Sequence, residues 1–171
     1  IVYHAAAYKH VPIQELHPWN AVKTNLGGTY NLVECSDKYT VDKFVLVSTD
    51  KAVNPVNIMG ATKRASEKLI QSKNVVSNTR FMAVRFGNVL GSSGSAIPTF
   101  QKQINEGGPL TITHPEMTRY FMSIQEASQL ILQSAALGED GEIFLLEMGK
   151  PIKIAQMARD LIKLSGLEPK I

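Results

Sequence analysis

Ser48-Thr49-Asp50-Lys51-Ala52-Val53-Asn54-Pro55-Val56-Asn57-Ile58-Met59-Gly60-Ala61-Thr62-Lys63 decides how this chain is read. It follows Phe44-Val45-Leu46-Val47, an apolar run with the character of a buried strand. It leads into Lys63-Arg64-Ala65-Ser66-Glu67-Lys68-Leu69-Ile70, which has the character of a helix. Two hydroxyls, a carboxylate and an amine therefore leave one strand end together. Lys63 follows one helical turn after Met59, on the same face. Open α/β sheets place their ligands at the carboxyl ends of strands, so this cluster sits where chemistry is expected.

Outward from that stretch, the pattern predicts strands over 1–6, 44–47 and 81–86 and helices over 20–39 and 59–73. Strand, helix, strand, helix, strand argues a parallel sheet with right-handed crossovers. Gly27-Gly28 interrupts the first helix at about 1 kcal/mol each against alanine, and such a pair is expected to mark close backbone approach to a strand or ligand. Beyond Gly87 the composition shifts to Gly91-Ser92-Ser93-Gly94-Ser95. A helix over 97–106, a short strand over 110–113, a loop through Arg119, a helix over 124–137, a strand over 142–148 and a helix over 153–164 are predicted there. The fold class is thus α/β: part of a Rossmann-like doubly wound sheet over 1–87, with a smaller substrate-binding lobe over 88–171 interleaved with it. There is no internal repeat and no low-complexity tract.

The 171 residues are 44% hydrophobic, enough for a real core. Eighteen basic residues face 15 acidic ones, a formal +3 that reflects scattered lysines and argues against a nucleic-acid footprint. Cys35 is alone, which fits a reducing cytoplasm. No apolar run approaches the roughly 20 residues that span a bilayer. The chain opens directly on the apolar Ile1-Val2-Tyr3-His4 and stops at Glu168-Pro169-Lys170-Ile171, and it is read as a piece of a longer polypeptide. Membrane attachment is expected only through an upstream segment.

Asp50 beside Lys51 makes a carboxyl and an amine available for proton removal and leaving-group expulsion. On a strand the two would point to opposite faces, whereas a loop lets both reach one pocket. The same residues equally suit a bland role, with Asp50 capping a turn and Lys51 and Lys63 solvated. No Cys/His cluster has metal-ligand spacing, so no metal is expected.

The order of strand, Ser48-Thr49-Asp50, then a residue four before Lys63, resembles the active-site layout of extended short-chain dehydrogenases/reductases. His4-Ala5-Ala6-Ala7-Tyr8-Lys9-His10-Val11-Pro12, the 48–63 stretch, Arg85-Phe86-Gly87-Asn88-Val89-Leu90-Gly91-Ser92-Ser93-Gly94-Ser95 and Thr113-His114-Pro115-Glu116-Met117-Thr118-Arg119-Tyr120-Phe121-Met122 are more specific. Together they resemble the polysaccharide-biosynthesis branch of nucleotide-sugar 4,6-dehydratases, which act on UDP-N-acetylglucosamine.

The resemblance implies an NAD- or NADP-dependent cycle: oxidation at sugar C4, loss of water across C5 and C6, and hydride return at C6. It implies that Asp50 protonates the departing hydroxyl, Lys51 takes the C5 proton as a neutral amine, Thr49 bonds the C4 hydroxyl and Lys63 holds the nicotinamide ribose. Met59 occupies the position of the superfamily's catalytic tyrosine; a thioether cannot act as a base, so the C4 proton must leave through Thr49, Asp50 or a water. Methionine here points to the larger, membrane-anchored members. Ala5, Ala6 and Ala7, with Asn25 and Ser48, are expected cofactor contacts, although the alanines suit packing beneath a helix equally well. Asn88 and Arg119 are expected at the substrate diphosphate, where a guanidinium fork suits phosphate oxygens. Lys9 and His10 are expected at the sugar. A homo-oligomer is expected of the full-length protein.

No Gly-x-Gly-x-x-Gly loop occurs in the sequence. Gly91-Ser92-Ser93-Gly94 is no substitute, because it follows a late strand and lacks the acid about 20 residues on. The isolated chain is therefore expected to bind cofactor weakly and to be nearly inactive. A 4-epimerase is the alternative within the superfamily, and Asp50-Lys51 disfavours it because epimerisation needs no elimination pair. A non-catalytic nucleotide-sugar-binding module is the alternative outside it, favoured by Met59 and disfavoured by the retained Thr49, Asp50, Lys51 and Lys63.

Overall fold

Phe44, Val45 and Leu46 are wholly buried, as are Phe81, Met82, Ala83 and Val84. Strands that bury every successive side chain are covered on both faces, the situation of central strands in a parallel sheet. The computed structural model describes residues 1–139 and 141–168; Pro169, Lys170 and Ile171 of the tail quoted above lie outside the described residues.

Along the chain, β1 (Val2–His4) is followed by α1 (Val11–Leu16), α2 (Pro18–Ala21), a π-helical stretch at Val22–Gly27 and α3 (Gly28–Lys38). Next come β2 (Lys43–Val47), a 3-10 turn at Asp50–Ala52, α4 (Ile58–Asn74) and β3 (Arg80–Arg85). The remainder comprises β4 (Asn88–Val89), α5 (Ala96–Asn105), β5 (Thr118–Arg119), β6 (Phe121–Met122), α6 (Ile124–Leu137), β7 (Ile143–Leu145), β8 (Ile152–Lys153) and α7 (Ile154–Leu164).

One unit consists of Ile1–Phe86 with Ser128–Leu146. Its sheet runs β1-β2-β3-β7 with every pair parallel, Val2 opposite Phe44, Phe44 opposite Phe81 and Ala83 opposite Ile143. This is the parallel α/β sheet that the strand–helix alternation predicts. Phe44, Leu46, Phe81 and Ala83 pack with Val33 of α3 and Ile70 of α4 on one face. The Phe44 and Phe81 rings stand 5.4 Å apart and tilted by 50°, within the favourable aromatic range. Burying each of these larger side chains contributes on the order of 1.5–3 kcal/mol. Met82, pointing the other way, meets the end of α6, where a Cβ on Gly138 would lie 2.5 Å from its sulfur.

The helix predicted over 20–39 begins earlier and is broken. Pro12 and Pro18 each sit in a first turn, where a missing N–H costs nothing. His17, which precedes Pro18, is held out of the helical region and separates α1 from α2. Gly27-Gly28 lies within continuous helical backbone, and a Cβ on Gly28 would meet nothing within 4 Å. Within the described residues no strand approaches the pair closely. The pair borders an open apolar groove of about 600 Å³ with Val22, Leu26, Tyr30 and Leu69.

The other unit comprises Gly87–Ala127 and, among the described residues, 147–168. β4 pairs parallel with β6 and β5 antiparallel with β8, the latter setting Arg119 opposite Ile152. Its core is Phe100, Ile154 and Ala158, with Leu110, Ile112, Met117, Phe121 and Leu161 packed against them. The strand predicted over 110–113 does not form: Leu110 and Ile112 turn into that core, while Gln103 Oε1 accepts the Thr111 N–H at 3.1 Å and no ladder can form there. The strand predicted over 142–148 is confined to Ile143–Leu145. Among the described residues no helix is long and apolar enough to cross a membrane.

Candidate functional site

The end of β2 turns sharply. Ser48 N–H donates to Val84 O at 2.7 Å, extending the β2–β3 ladder, and Asp50 N–H donates to Phe86 O at 3.0 Å. Thr49, in extended backbone, caps the 3-10 turn: its Oγ1 accepts from Lys51 N at 3.3 Å and donates to Asp50 Oδ1 at 3.0 Å. Lys51 Nζ lies 2.9 Å from the same Oδ1, and the two side chains are each 29% exposed. A strand would have sent these neighbours to opposite faces; the turn brings hydroxyl, carboxylate and amine to one place. The pair is open to a ligand.

α4 starts directly against this turn. Asn57 Oδ1 accepts the Gly60 N–H at 2.8 Å and Glu15 Oε1 accepts the Ile58 N–H at 2.7 Å, so two otherwise orphaned donors of the first turn are satisfied. A Cβ on Gly60 would stand 2.3 Å from the Lys51 carbonyl oxygen, which is why glycine occupies this position. Met59 is buried. Lys63 is only 5% exposed; burial lowers its pKa to about 8, opposed by the negative charge of Glu67.

Glu67 is wholly buried one turn beyond Lys63. Its Oε1 accepts from Ser48 Oγ at 2.6 Å and from Arg85 Nε at 2.8 Å. Its Oε2 accepts from Arg85 Nη2 at 2.5 Å and Arg64 Nη1 at 3.1 Å. Sequence reasoning passed over Glu67 and Arg85. The signal was present, since a carboxylate on the apolar face of a helix demands a buried cation, and Arg85 closes the neighbouring strand.

A second polar network lies under the loop after β1. Asn25 is wholly buried, and its Oδ1 accepts the Tyr8 N–H at 2.7 Å while Nδ2 donates to Tyr8 O and Thr62 Oγ1, both at 3.0 Å. Thr29 Oγ1 donates to Asn25 O at 2.5 Å, so at its 2.9 Å contact with His4 it accepts from Nε2. His4 is neutral: burial, then the charge of Lys63, lower its pKa to about 4.

These contacts place the expected residues. Thr49, Asp50 and Lys51 share one turn, with Met59 and Lys63 on the helix packed against it. Asn25 and Ser48 are enclosed and hold the β1 loop and Glu67, so their side chains act from beneath. Ala5 and Ala6 are exposed after β1 and Ala7 is half-buried; Lys9 is exposed, and the His10 carbonyl accepts the Gln14 N–H at 3.1 Å to begin α1. Asn88 and Arg119 belong to the other unit, on β4 and β5; Asn88 N–H donates to Tyr120 O at 3.0 Å and Arg119 Nη1 to Thr118 O at 2.8 Å. Among the described residues no three His, Cys, Asp or Glu side chains could share a metal ion.

A family model described as "Polysaccharide biosynthesis protein" matches residues 1–171. The chain is 61% identical over 166 residues to the capsular polysaccharide biosynthesis protein CapD of Staphylococcus aureus, covering 96% of this chain and 28% of that protein. It is 43% identical to a UDP-N-acetylglucosamine 4,6-dehydratase (inverting) of Campylobacter jejuni, covering 94% of this chain and 49% of that one. The X-ray structure of Pen from Bacillus thuringiensis superposes with a TM-score of 0.92 at 39% identity, over 98% of this chain and 53% of that one. The chain thus spans about a quarter to about half of the length of these relatives. With its strand-end turn, parallel sheet and whole-length match, this chain belongs to the polysaccharide biosynthesis protein family of short-chain dehydrogenase/reductase-type enzymes.

Proposed function

We propose that the chain carries the catalytic part of a UDP-N-acetylglucosamine 4,6-dehydratase that works with NAD or NADP in surface-polysaccharide synthesis, on the cytoplasmic side. The observation that carries this reading is the gathering of Thr49, Asp50 and Lys51 in one half-open turn against the helix of Lys63. Lys63 suits a nicotinamide ribose, because its ammonium is buried and no ion pair among the described residues holds it. The small Ala5, Ala6 and Ala7 leave room at the end of β1. The bound nicotinamide supplies a hydride acceptor for sugar C4 and the hydride returned at C6; the seat of its pyrophosphate is not among these residues.

The proton ledger gives each side chain a task. Oxidation at C4 frees a hydroxyl proton, and loss of the C6 hydroxyl as water consumes one. The two cancel when the C4 proton reaches Asp50, and Thr49 Oγ1 already donates to Asp50 Oδ1. Thr49 and Asp50 thus take over the task that Met59 cannot perform. Lys51 then withdraws the C5 proton, acidified by the C4 ketone, while Asp50 releases its proton to the departing hydroxyl. Lys51 returns a proton to C5 as hydride arrives at C6. By the chemistry of their side chains, Asn88 and Arg119 suit a diphosphate and Lys9 and His10 a sugar.

The test uses the full-length polypeptide containing this chain, incubated with UDP-N-acetylglucosamine and either NAD+ or NADP+. Mass spectrometry is expected to reveal a nucleotide sugar lighter by one water. Unchanged mass with cofactor bound overturns the dehydratase reading, and an isomer inverted at C4 would replace it with epimerisation.

A further inference from the structure

Among the described residues Glu67 is the only wholly buried carboxylate. Such a group persists in the interior only when paired and bonded on its remaining lone pairs. Burial pushes its pKa up, but the hydrogen bonds from Arg85, Ser48 and Arg64 outweigh that and hold it below the usual range. Its partners are informative: Ser48 is the first residue past β2, and Arg85 is the last of β3. Thr49 follows Ser48 directly, and Phe86, next to Arg85, anchors the Asp50 N–H.

We propose that Glu67 is a positioning residue for the strand-end site: it ties the ends of β2 and β3 to α4, fixing where Thr49, Asp50 and Lys51 emerge, and it supplies the buried negative charge that faces Lys63. The claim rests on the proposed reaction for its effect on turnover, but not for its effect on Lys63.

Among the described residues, the other carboxylates on elements packed against α4 are engaged elsewhere. Glu15 of α1 is engaged at Ile58, Asp50 pairs with Lys51, and Glu34 and Asp37 of α3 hold Lys73 at the far end of the helix. His4 of β1 is neutral, and Lys23 of the π-helical stretch is exposed. Arg64 and Arg85 are cations whose charge Glu67 offsets. Replacing Glu67 by glutamine leaves those guanidinium groups uncompensated next to Lys63, so the Lys63 ammonium must lose its proton at lower pH.

In the full-length protein carrying carbon-13-labelled lysine, the Lys63 Cε resonance, assigned by its loss in Lys63→Met, is followed against pH by NMR, since it reports protonation of a buried amine without reagent access. Glu67→Gln is expected to lower the Lys63 midpoint by more than about half a pH unit, a displacement that requires loss of a charge interaction. Ser48→Ala, which leaves the charge in place, is expected to keep the parental midpoint yet lower kcat at least about ten-fold by releasing the end of β2. A purely structural Glu67 would lower the melting temperature of Glu67→Gln and leave the Lys63 midpoint where it was; that result overturns the proposal. Should Glu67→Gln not fold, Glu67→Asp is read instead: its shorter arm must keep the midpoint and lower kcat, and parental kcat overturns the positioning role. If the parental protein forms no dehydrated sugar, the proposed reaction fails, and the Lys63 titration still decides on Glu67.

Discussion

Asp50 Oδ1 receives two donors at once, Thr49 Oγ1 at 3.0 Å and Lys51 Nζ at 2.9 Å. One carboxylate oxygen thus links the hydroxyl assigned to sugar C4 with the amine assigned to C5. If protons pass along this line, the three residues fail differently. Lys51→Ala is expected to permit oxidation at C4 but not elimination, so reduced nicotinamide accumulates by absorbance without dehydrated product. Thr49→Val and Asp50→Asn are expected to block oxidation itself, each lowering turnover by at least about a hundred-fold, in the range of a lost proton-transfer group. Cofactor affinity is expected to stay within a few-fold in all three. Reduced nicotinamide appearing at the parental rate in Thr49→Val would break the assignment.

Gly60 reports on the join between the turn and α4. An added Cβ would sit 2.3 Å from the Lys51 carbonyl oxygen and 3.3 Å from Asn57 Oδ1. The first is backbone and cannot swing aside, and the second is a side-chain oxygen already engaged by the Gly60 N–H, so the helix start must move. Gly60→Ala is expected to destabilise by about 1–3 kcal/mol, the usual scale of overpacking, although alanine is the better helix former. A melting temperature equal to the parent would show that the turn and helix are less tightly joined than these distances imply.

How much of this was legible in the sequence follows from what kind of interaction each feature needs. The strands expected over 44–47 and 81–86, alternating with helices, announced a parallel sheet, because each element leaves its own local periodicity in the sequence. Asp50 and Lys51 were legible as chemistry, but their pairing needed the turn, which follows from Thr49 capping and the backbone of Phe86. Glu67 and Arg85 stand 18 residues apart on different elements, so only the fold brings them together. Gly27-Gly28 behaves differently: helix propensity flagged a cost, and within the described residues no strand comes near enough to Gly28 to account for it. The β5–β8 pair joins two-residue strands more than 30 residues apart, too short to leave a periodic signal.

Lys43 ends a helix from a distance. Its Nζ donates to Ala135 O at 2.6 Å and Gly138 O at 3.0 Å, carbonyls that the end of α6 leaves without intrahelical donors. A cation here also meets the negative end of the helix dipole. Lys43→Met keeps the apolar stem and removes the donors, and is expected to cost about 1–2 kcal/mol through two partly buried carbonyls. Hydrogen exchange checks this: amides in the last turn of α6 should lose protection before those of β2.

Lys63 and His4 make stability depend on pH in two separate windows. His4 titrates at about 4 in the folded chain against an ordinary 6.5. Between those values the unfolded chain binds more protons, so stability falls as pH drops from 6.5 to 4 and is flat below. Lys63 titrates at about 8 against 10.5. Its folded pKa is also depressed, so its buried charge weighs fully on the fold below pH 8 and is relieved as pH rises toward 10.5. Lys63→Met removes that burden, of order 3 kcal/mol at one pH unit per 1.36 kcal/mol, and is expected to raise the melting temperature at pH 7 while abolishing cofactor binding. In the parent, cofactor affinity is expected to weaken as pH rises through about 8, with the loss of the ammonium. A Lys63→Met protein that melts lower than the parent would mean that the ammonium is stabilised in the folded chain, and the site's readiness for a ribose would have to be argued from elsewhere.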